Sequence, residues 1–480
     1  MNDRKGFGSN FGFLMAAVGS AVGLGNIWGF PNKMGANGGF PFLILYLALA
    51  LCCGVIIMLG ELALGRKTGH GAVGAYQSIS KRFKWLGWLG IAAAALIFSF
   101  YSALGGYCLR YVVVNFGNLI GAEFGTNGVG GADVFQGLLS QPDVSIAFAL
   151  AFMLITMLVV MSGVGGGIER VCSVGMPALF FILIICIIRS CTLPGAADGL
   201  KYMFVPGWAV ANGIIDEAPS FWKVLTAAGG QMFFSLSLGA GVMITYGSYL
   251  DKKQDLGKSA MIIVGMDTVV ALMAGLCVIP GRFALDPNGA LGGPELLFIT
   301  MQNVFDKMGP AGPVFGILFY LLVFFAAISS SISMLEVIVA HFCDKAREKG
   351  KGDRRKLYSA IVVVICAALC ALVCADGMGS NHISPAELLG LAGAKLPGWS
   401  TSWLGLFDSV AEGLLMPLGA LLMCLMISWE LKPDALRQEI LLNGENRPWV
   451  YDFFRLCVKY ITPLCMLMIL YGQISDFFIV

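Results

Sequence analysis

The sequence predicts an all-α integral membrane protein of eleven transmembrane helices, and three observations carry that prediction. Of the 480 residues, 58% are hydrophobic and only 12% charged, against about 25% charged in an ordinary soluble domain. Apolar runs of the ~20 residues that cross a hydrocarbon core recur from the first dozen positions to the last. Two of these runs, the first and the sixth, have glycine-rich, polar centres that make poor continuous helix.

Taken in order, the runs place spans near 11–33, 40–65, 86–119, 146–163, 169–190, 221–250, 257–281, 311–343, 357–375, 405–430 and 452–477, within a single domain over 1–480. The start of the tenth is blurred, because Gly, Pro and Ser crowd residues 377–402. The longest connections, around 120–145, 191–220 and 282–310, have room for short surface helices. Between the second and third spans lie Arg66, Lys67, Lys81, Arg82 and Lys84. Between the eighth and ninth lie Lys345, Arg347, Lys349, Lys351, Arg354, Arg355 and Lys356, whereas 121–145 holds no Lys or Arg. The positive-inside rule then expects a cytoplasmic N-terminus in the cell's inner (plasma) membrane, and an odd span count an extracytoplasmic C-terminus.

The net charge of +2 is spread over connecting segments, which argues against nucleic acid as a partner. Most of the fourteen cysteines, such as Cys52, Cys53, Cys186, Cys366, Cys370 and Cys424, lie in apolar runs without metal-ligand spacing and read as packing residues. The first apolar segment lacks the cleavage pattern of a signal peptide and is expected to be retained.

The first break reads Gly19-Ser20-Ala21-Val22-Gly23-Leu24-Gly25-Asn26 and the second Ser235-Leu236-Ser237-Leu238-Gly239-Ala240-Gly241. In hydrocarbon an unwound backbone is tolerated only where it is buried or lines a cavity. The breaks are equivalent if 11–190 and 221–430 are two inverted halves, with 452–477 an extra helix; matched broken helices mark the midplane substrate site of inverted-repeat transporters. The plainer alternative is that these glycines only let helices pack closely.

Unwound backbone exposes carbonyls, the hard oxygens that sodium prefers. Span eight adds Phe325-Ala326-Ala327-Ile328-Ser329-Ser330-Ser331, three adjacent hydroxyls in an apolar helix. A lone serine would bond back to its own helix; three facing different directions suggest an ion site. Ionisable groups inside a span cost ~2.5–3.5 kcal/mol at its centre and are functional by default. Glu61, near one end of span two, reads equally as snorkelling, structural or functional, while Asp267 lies deep in span seven. A channel would want a continuous polar lining, and an intramembrane enzyme would need clustered groups; His70, His341 and His382 are scattered.

The run Gly19 to Pro31 (GSAVGLGNIWGFP), the following Asn37-Gly38-Gly39, the stretch Gly60 to Arg66 (GELALGR) and SLSLGAG in span six resemble the neurotransmitter:sodium symporter family, across essentially the whole chain. The resemblance implies the LeuT-like 5+5 inverted-repeat fold with unwound helices 1 and 6, and a symporter that imports an amino acid on a sodium gradient by alternating access. By motif position, a first sodium would be held by the Ala21 carbonyl, Asn26, Ser235, Asp267 and the substrate carboxylate. A second would be held by the carbonyls of Gly19, Val22 and Ala326 and the hydroxyls of Ser329 and Ser330. The pocket would be framed by Ser20, Ala21, Gly23, Gly25, Ile97, Tyr101, Phe234, Ser237, Ala240, Ser330 and Met334.

Where monoamine members of the family carry Asp, this chain has Gly23, which leaves the carboxylate for the substrate to bring. With no ionisable group in the pocket, a small neutral amino acid is implied, apolar or aromatic, and Ala240 leaves room for a large one. Tyr46, Gln231 and Ser235 resemble the family's chloride site; Asp267 would supply the charge chloride brings, making chloride unnecessary, and would take up a proton on the empty return. Arg4, Phe7, Tyr249 and Asp344 would form a cytoplasmic gate. Gly167, nine residues, then Pro177 match the family's unwinding motif in span five. The outer gate departs from the pattern: Gly29 and Ala411 replace the usual ion pair, leaving Lys33, Asp408 or Glu412 to compensate, or Tyr101 and Phe234 to close alone. A non-transporting amino-acid sensor on the same scaffold is the alternative.

Overall fold

A backbone that crosses hydrocarbon has to satisfy its N–H and C=O groups within its own segment, and this chain does so with helices throughout. The computed structural model describes residues 6–290, 293–352, 354–391, 398–441 and 448–478. We number its long helical segments in chain order. The first two, α1 (Asn10–Ala21) and α2 (Gly25–Ala36), meet at a 44° bend. Then come α3 (Phe40–Thr68), α4 (Lys81–Ile120), α5 (Pro142–Met161) and α6 (Val164–Cys191). A second broken pair follows, α7 (Phe221–Ser235) and α8 (Val242–Gly247). The remaining segments are α9 (Leu256–Leu285), α10 (Gly309–Glu348), α11 (Arg355–Gly379), α12 (Trp403–Leu431) and α13 (Pro448–Ser475).

Among the described residues nine of these are long and apolar enough to cross a membrane, or ten if α1 and α2 count as one span. Their bounds fall within a few residues of the apolar runs. Short helices occupy the three longest connections, at Gly131–Leu139, Ala196–Phe204 and Met301–Asp306. At 1.5 Å per residue, α4 and α10 are each about 60 Å long, twice the ~30 Å core, so their charged ends project beyond it.

Small residues set how closely the helices approach. A Cβ on Gly105 would lie 2.5 Å from the Phe152 ring, and one on Gly106 2.5 Å from the Ala149 backbone, so α4 and α5 touch backbone to side chain. None of the fourteen cysteines is in a disulfide, and most are buried, as their apolar settings suggested.

Charged side chains in the helices are neutralised across elements. Glu336, fully buried in α10, accepts from the Tyr249 hydroxyl at 2.6 Å and from both terminal nitrogens of Arg355. Arg66 at the end of α3 bonds Glu439 Oε2 at 2.8 Å and the Gln254 carbonyl, while Lys252 reaches Glu439 Oε1 at 2.7 Å. Glu439 lies outside the long helices. Burial pushes its carboxyl up, but Lys252 and Arg66 outweigh burial and hold it below its ordinary value of 4.5.

Candidate functional site

The two helix breaks face each other. Helix α1 ends at Ala21, and Val22 leaves the helical region with φ −74° and ψ 101°. On the other side α7 stops at Ser235, and the chain turns through Leu236–Gly241 with positive φ at Ser237 (52°), Gly239 (80°) and Gly241 (74°) before α8 begins. The Ser237 hydroxyl donates to the Ser20 carbonyl at 3.1 Å, tying one break to the other. Glu61 of α3 closes the second break: its Oε1 accepts the Gly239 N–H at 2.7 Å, and the side chain is 1% exposed. A residue this buried does not snorkel. Its carboxylate is a structural acceptor for amides that the missing helical turn leaves unpaired.

Asp267 sits beside the breaks and gathers their polar groups. Asn26 Nδ2 donates to its Oδ1 at 2.8 Å and to its backbone carbonyl at 2.9 Å. The Ser235 hydroxyl lies 3.0 Å from both carboxylate oxygens, and the Tyr46 hydroxyl donates to Oδ2 at 3.1 Å. All four residues are buried, and no cationic side chain reaches Asp267 among the described residues. Gln231, also buried, donates to the Gly25 carbonyl at 2.5 Å, and its own Oε1 has no partner. A buried carboxylate held only by neutral donors calls for a proton or a cation to balance its charge.

A second cluster of oxygens lies between α1 and α10. Ser329 Oγ is 3.0 Å from the Ala326 carbonyl and 3.4 Å from that of Val22. Ser330 Oγ is 3.4 Å from the Gly19 carbonyl and 3.5 Å from Val22. Hard cations of calcium's size hold oxygens at ~2.3–2.6 Å, which puts neighbouring ligands at right angles ~3.4 Å apart. The contacts of the two hydroxyls with the Gly19, Val22 and Ala326 carbonyls, 3.0–3.5 Å, bracket that spacing. Ser331, by contrast, pairs with Thr156 at 2.8 Å and bonds back to Ile328, so of the three adjacent hydroxyls only two face the breaks.

Between the clusters, Gly23 occupies a position where no side chain fits. A Cβ there would come within 2.2 Å of Ser330 Oγ and 2.5 Å of the Tyr101 hydroxyl. Tyr101 accepts the Leu24 N–H at 2.7 Å, leaving its own proton to donate, and the Gly23 N–H is taken by Asn26 Oδ1 at 3.0 Å. Tyr101 and Phe234 lie 6.4 Å apart as tilted rings over this point. Ile97, Ala240 and Met334 are buried in the same core. The Ser20 hydroxyl is engaged elsewhere, donating to Ser333 at 2.7 Å, so Ser20 offers its carbonyl rather than its side chain.

The regions on either side differ in part from the sequence reading. On the α2 and α7 side, Lys33 forms an ion pair with Glu412 of α12, beside Gly230 of α7. A charged bridge is therefore present one helical turn from Gly29. On the α1 side Phe7 packs edge-on against Phe13, Tyr246 and Tyr249 at 5.4–6.2 Å. Tyr249 directs its hydroxyl to Glu336, and Asp344 accepts the Gly71 N–H at 3.2 Å. Arg4 lies outside the described residues. Helix α6 runs through both Gly167 and Pro177 without a break; a Cβ on Gly167 would meet the Val159 carbonyl at 2.1 Å, so this glycine also serves close packing.

Two groups escaped the sequence reading. Glu336 is an ionisable residue deep in span eight, and the cost of burying it would have singled it out just as it did Asp267. Glu169, which meets the N-terminal end of α1, carried no signal in a single sequence.

A bundle of membrane-crossing helices around two facing helix breaks lined by buried oxygens is the architecture of a membrane transporter. The chain belongs to the Sodium:neurotransmitter symporter family, whose description matches residues 4–127 and 132–478. It is similar to an uncharacterised sodium-dependent transporter of Bacillus subtilis, at 36% identity over 97% of both chains. A sodium-dependent nutrient amino acid transporter of Drosophila ananassae is 26% identical, over 72% of this chain and 63% of its own. Among solved structures, the crystal structure of MhsT in complex with L-phenylalanine superposes with a TM-score of 0.83 at 34% identity, over 98% of this chain and 100% of MhsT. The protein is thus a multi-pass, sodium-dependent symporter and not an enzyme.

Proposed function

We propose that this chain imports a neutral amino acid with an apolar or aromatic side chain, coupled to sodium by alternating access. In this reading eleven spans form two inverted halves, 11–190 and 221–430, with unwound first and sixth spans and an added helix at 452–477. The N-terminus is cytoplasmic and the C-terminus extracytoplasmic, in the cell membrane.

The observation that carries the reading is the geometry at Gly23. Tyr101 accepts the Leu24 N–H and keeps its own hydroxyl proton to donate, and the side chains nearest Gly23 are Ser330 and Tyr101 rather than an acid, which suits a carboxylate brought by the substrate. That carboxylate completes a first sodium site with the Ala21 carbonyl, Asn26, Ser235 and Asp267, and the charge of Asp267 makes chloride unnecessary. The second sodium lies among Gly19, Val22, Ala326, Ser329 and Ser330. The complex of MhsT with L-phenylalanine supports an apolar or aromatic side chain for the substrate.

Coupling follows from the shared ligand. A substrate that is itself a sodium ligand raises sodium affinity, and sodium raises substrate affinity by the same factor. Uptake of labelled neutral amino acids into proteoliposomes, with and without an inward sodium gradient, tests the proposal. Sodium-driven accumulation is expected. Binding without accumulation would indicate a sensor instead, and neither across the neutral amino acids would overturn the substrate assignment.

A further inference from the structure

The N-terminus of α1 is held by a carboxylate from another helix. Glu169, in the first turns of α6, accepts the Gly8 N–H on Oε2 at 2.7 Å and the Ser9 hydroxyl on Oε1 at 2.8 Å. Ser9 is the N-cap of α1 and accepts the Gly12 N–H at 2.9 Å, so Glu169 caps the cap. Space for it is reserved: a Cβ on Gly12 would lie 1.9 Å from Glu169 Oε1. The turn that carries Glu169 is itself irregular. It starts at Gly163 with φ +84° and is wider than an α-helical turn over Val164–Glu169. Both hydrogen bonds are at a solvent-accessible end of the bundle, where water competes for them. Such contacts are worth little singly and break readily.

Farther along the same two helices, α1 meets α6 at the second oxygen cluster. A Cβ on Gly19 would lie 3.3 Å from Cys172 Sγ, 3.4 Å from Met176 and 3.2 Å from Ser329. The Gly19 carbonyl therefore keeps its place only while α1 lies against α6.

We propose that Glu169 is a positioning residue for sodium: it latches the N-terminal end of α1 to α6 and so holds the Gly19 and Val22 carbonyls in the second oxygen cluster. The inference rests on the sodium-coupled reading above.

Cys172 is a native reporter, 1% exposed behind Gly19. The experiment is maleimide alkylation of Cys172 in the full-length protein in lipid nanodiscs, read by peptide mass spectrometry across a sodium titration without substrate. In the wild type, sodium is expected to slow alkylation. In Glu169→Ala, which removes both hydrogen bonds, the sodium needed for half-protection is expected to rise severalfold. Glu169→Asp, which keeps the charge, is expected to recover part of the loss. Gly12→Ala, which displaces the carboxylate, should reproduce the Ala phenotype and add nothing to it in the double variant. A lowered melting temperature in Glu169→Ala with unchanged protection of Cys172 would reduce Glu169 to a helix cap and overturn the proposal. A wild type whose Cys172 ignores sodium would instead overturn the sodium-coupled reading on which the proposal rests.

Discussion

Replacing Asp267 by Asn keeps the shape of the site and removes its charge, so it isolates what the carboxylate does for sodium. Asn26 bridges the two: its Nδ2 bonds Asp267 Oδ1 at 2.8 Å, and its carbonyl side faces the first break. A sodium ion first meeting that carbonyl oxygen, before Asp267 turns to coordinate it, would lie about 6 Å from the carboxylate, which sets a lower bound on the attraction. At that distance, with an effective dielectric of about 20, the attraction is ~3 kcal/mol, or on the order of 100-fold in affinity. The expected result in chloride-free buffer is a rise of that size in the sodium concentration for half-maximal uptake. Chloride, seated among Tyr46, Gln231, Ser235 and the new Asn, should then restore much of the loss, while wild-type uptake ignores chloride. Sodium-dependent uptake into proteoliposomes, in gluconate against chloride, measures both. A variant as sodium-sensitive as the wild type, or a wild type that requires chloride, would refute the reasoning.

Four further expectations follow from the same geometry. Ser329→Ala removes one of five oxygens and should weaken sodium by about 10-fold, the effect of losing one polar contact of ~1.5 kcal/mol, seen as a shift in the sodium dependence of uptake. Gly23→Ala forces a methyl to within 2.2 Å of Ser330 Oγ, so overpacking of ~1–3 kcal/mol should abolish substrate binding while the purified protein stays folded by thermal melt. Lys33→Ala and Glu412→Ala should each slow uptake, and the double variant should be no worse than either single, because each leaves the other charge unpaired. For Glu439 the folded carboxyl lies below its ordinary value of 4.5, so its stabilisation is present above that value and fades as the pH falls through the folded value. The melting-temperature gap between wild type and Glu439→Gln should accordingly be full at pH 7 and narrow below about pH 4.

What could be read in the sequence was whatever depends on one segment at a time. The long helices follow from apolar length, and the two breaks from glycines and serines that no continuous helix would favour in hydrocarbon. Asp267 stood out because a carboxylate in span seven is costly, and its neighbours Tyr46, Gln231 and Ser235 came from motif resemblance. What depends on pairing between distant segments was not legible. Lys33, Asp408 and Glu412 were all candidates, but only the packing of α2 against α12 selects Lys33 with Glu412. Tyr249 serves Glu336, a partner 87 residues away that no spacing rule connects to it. Ser20 came from motif position and Ser331 from the run of three adjacent hydroxyls, neither of which shows that Ser333 and Thr156 take those hydroxyls up.

The burial of the thiols has a practical use in the laboratory. None of the fourteen cysteines is in a disulfide, only Cys52 is exposed and Cys191 and Cys465 are half-buried, so with sodium bound few native thiols compete with site-directed probes. One conservative change at Cys52 would let a fluorophore or spin label placed on α1 or α12 report on movement without stripping the interior of the sulfur atoms that fill it.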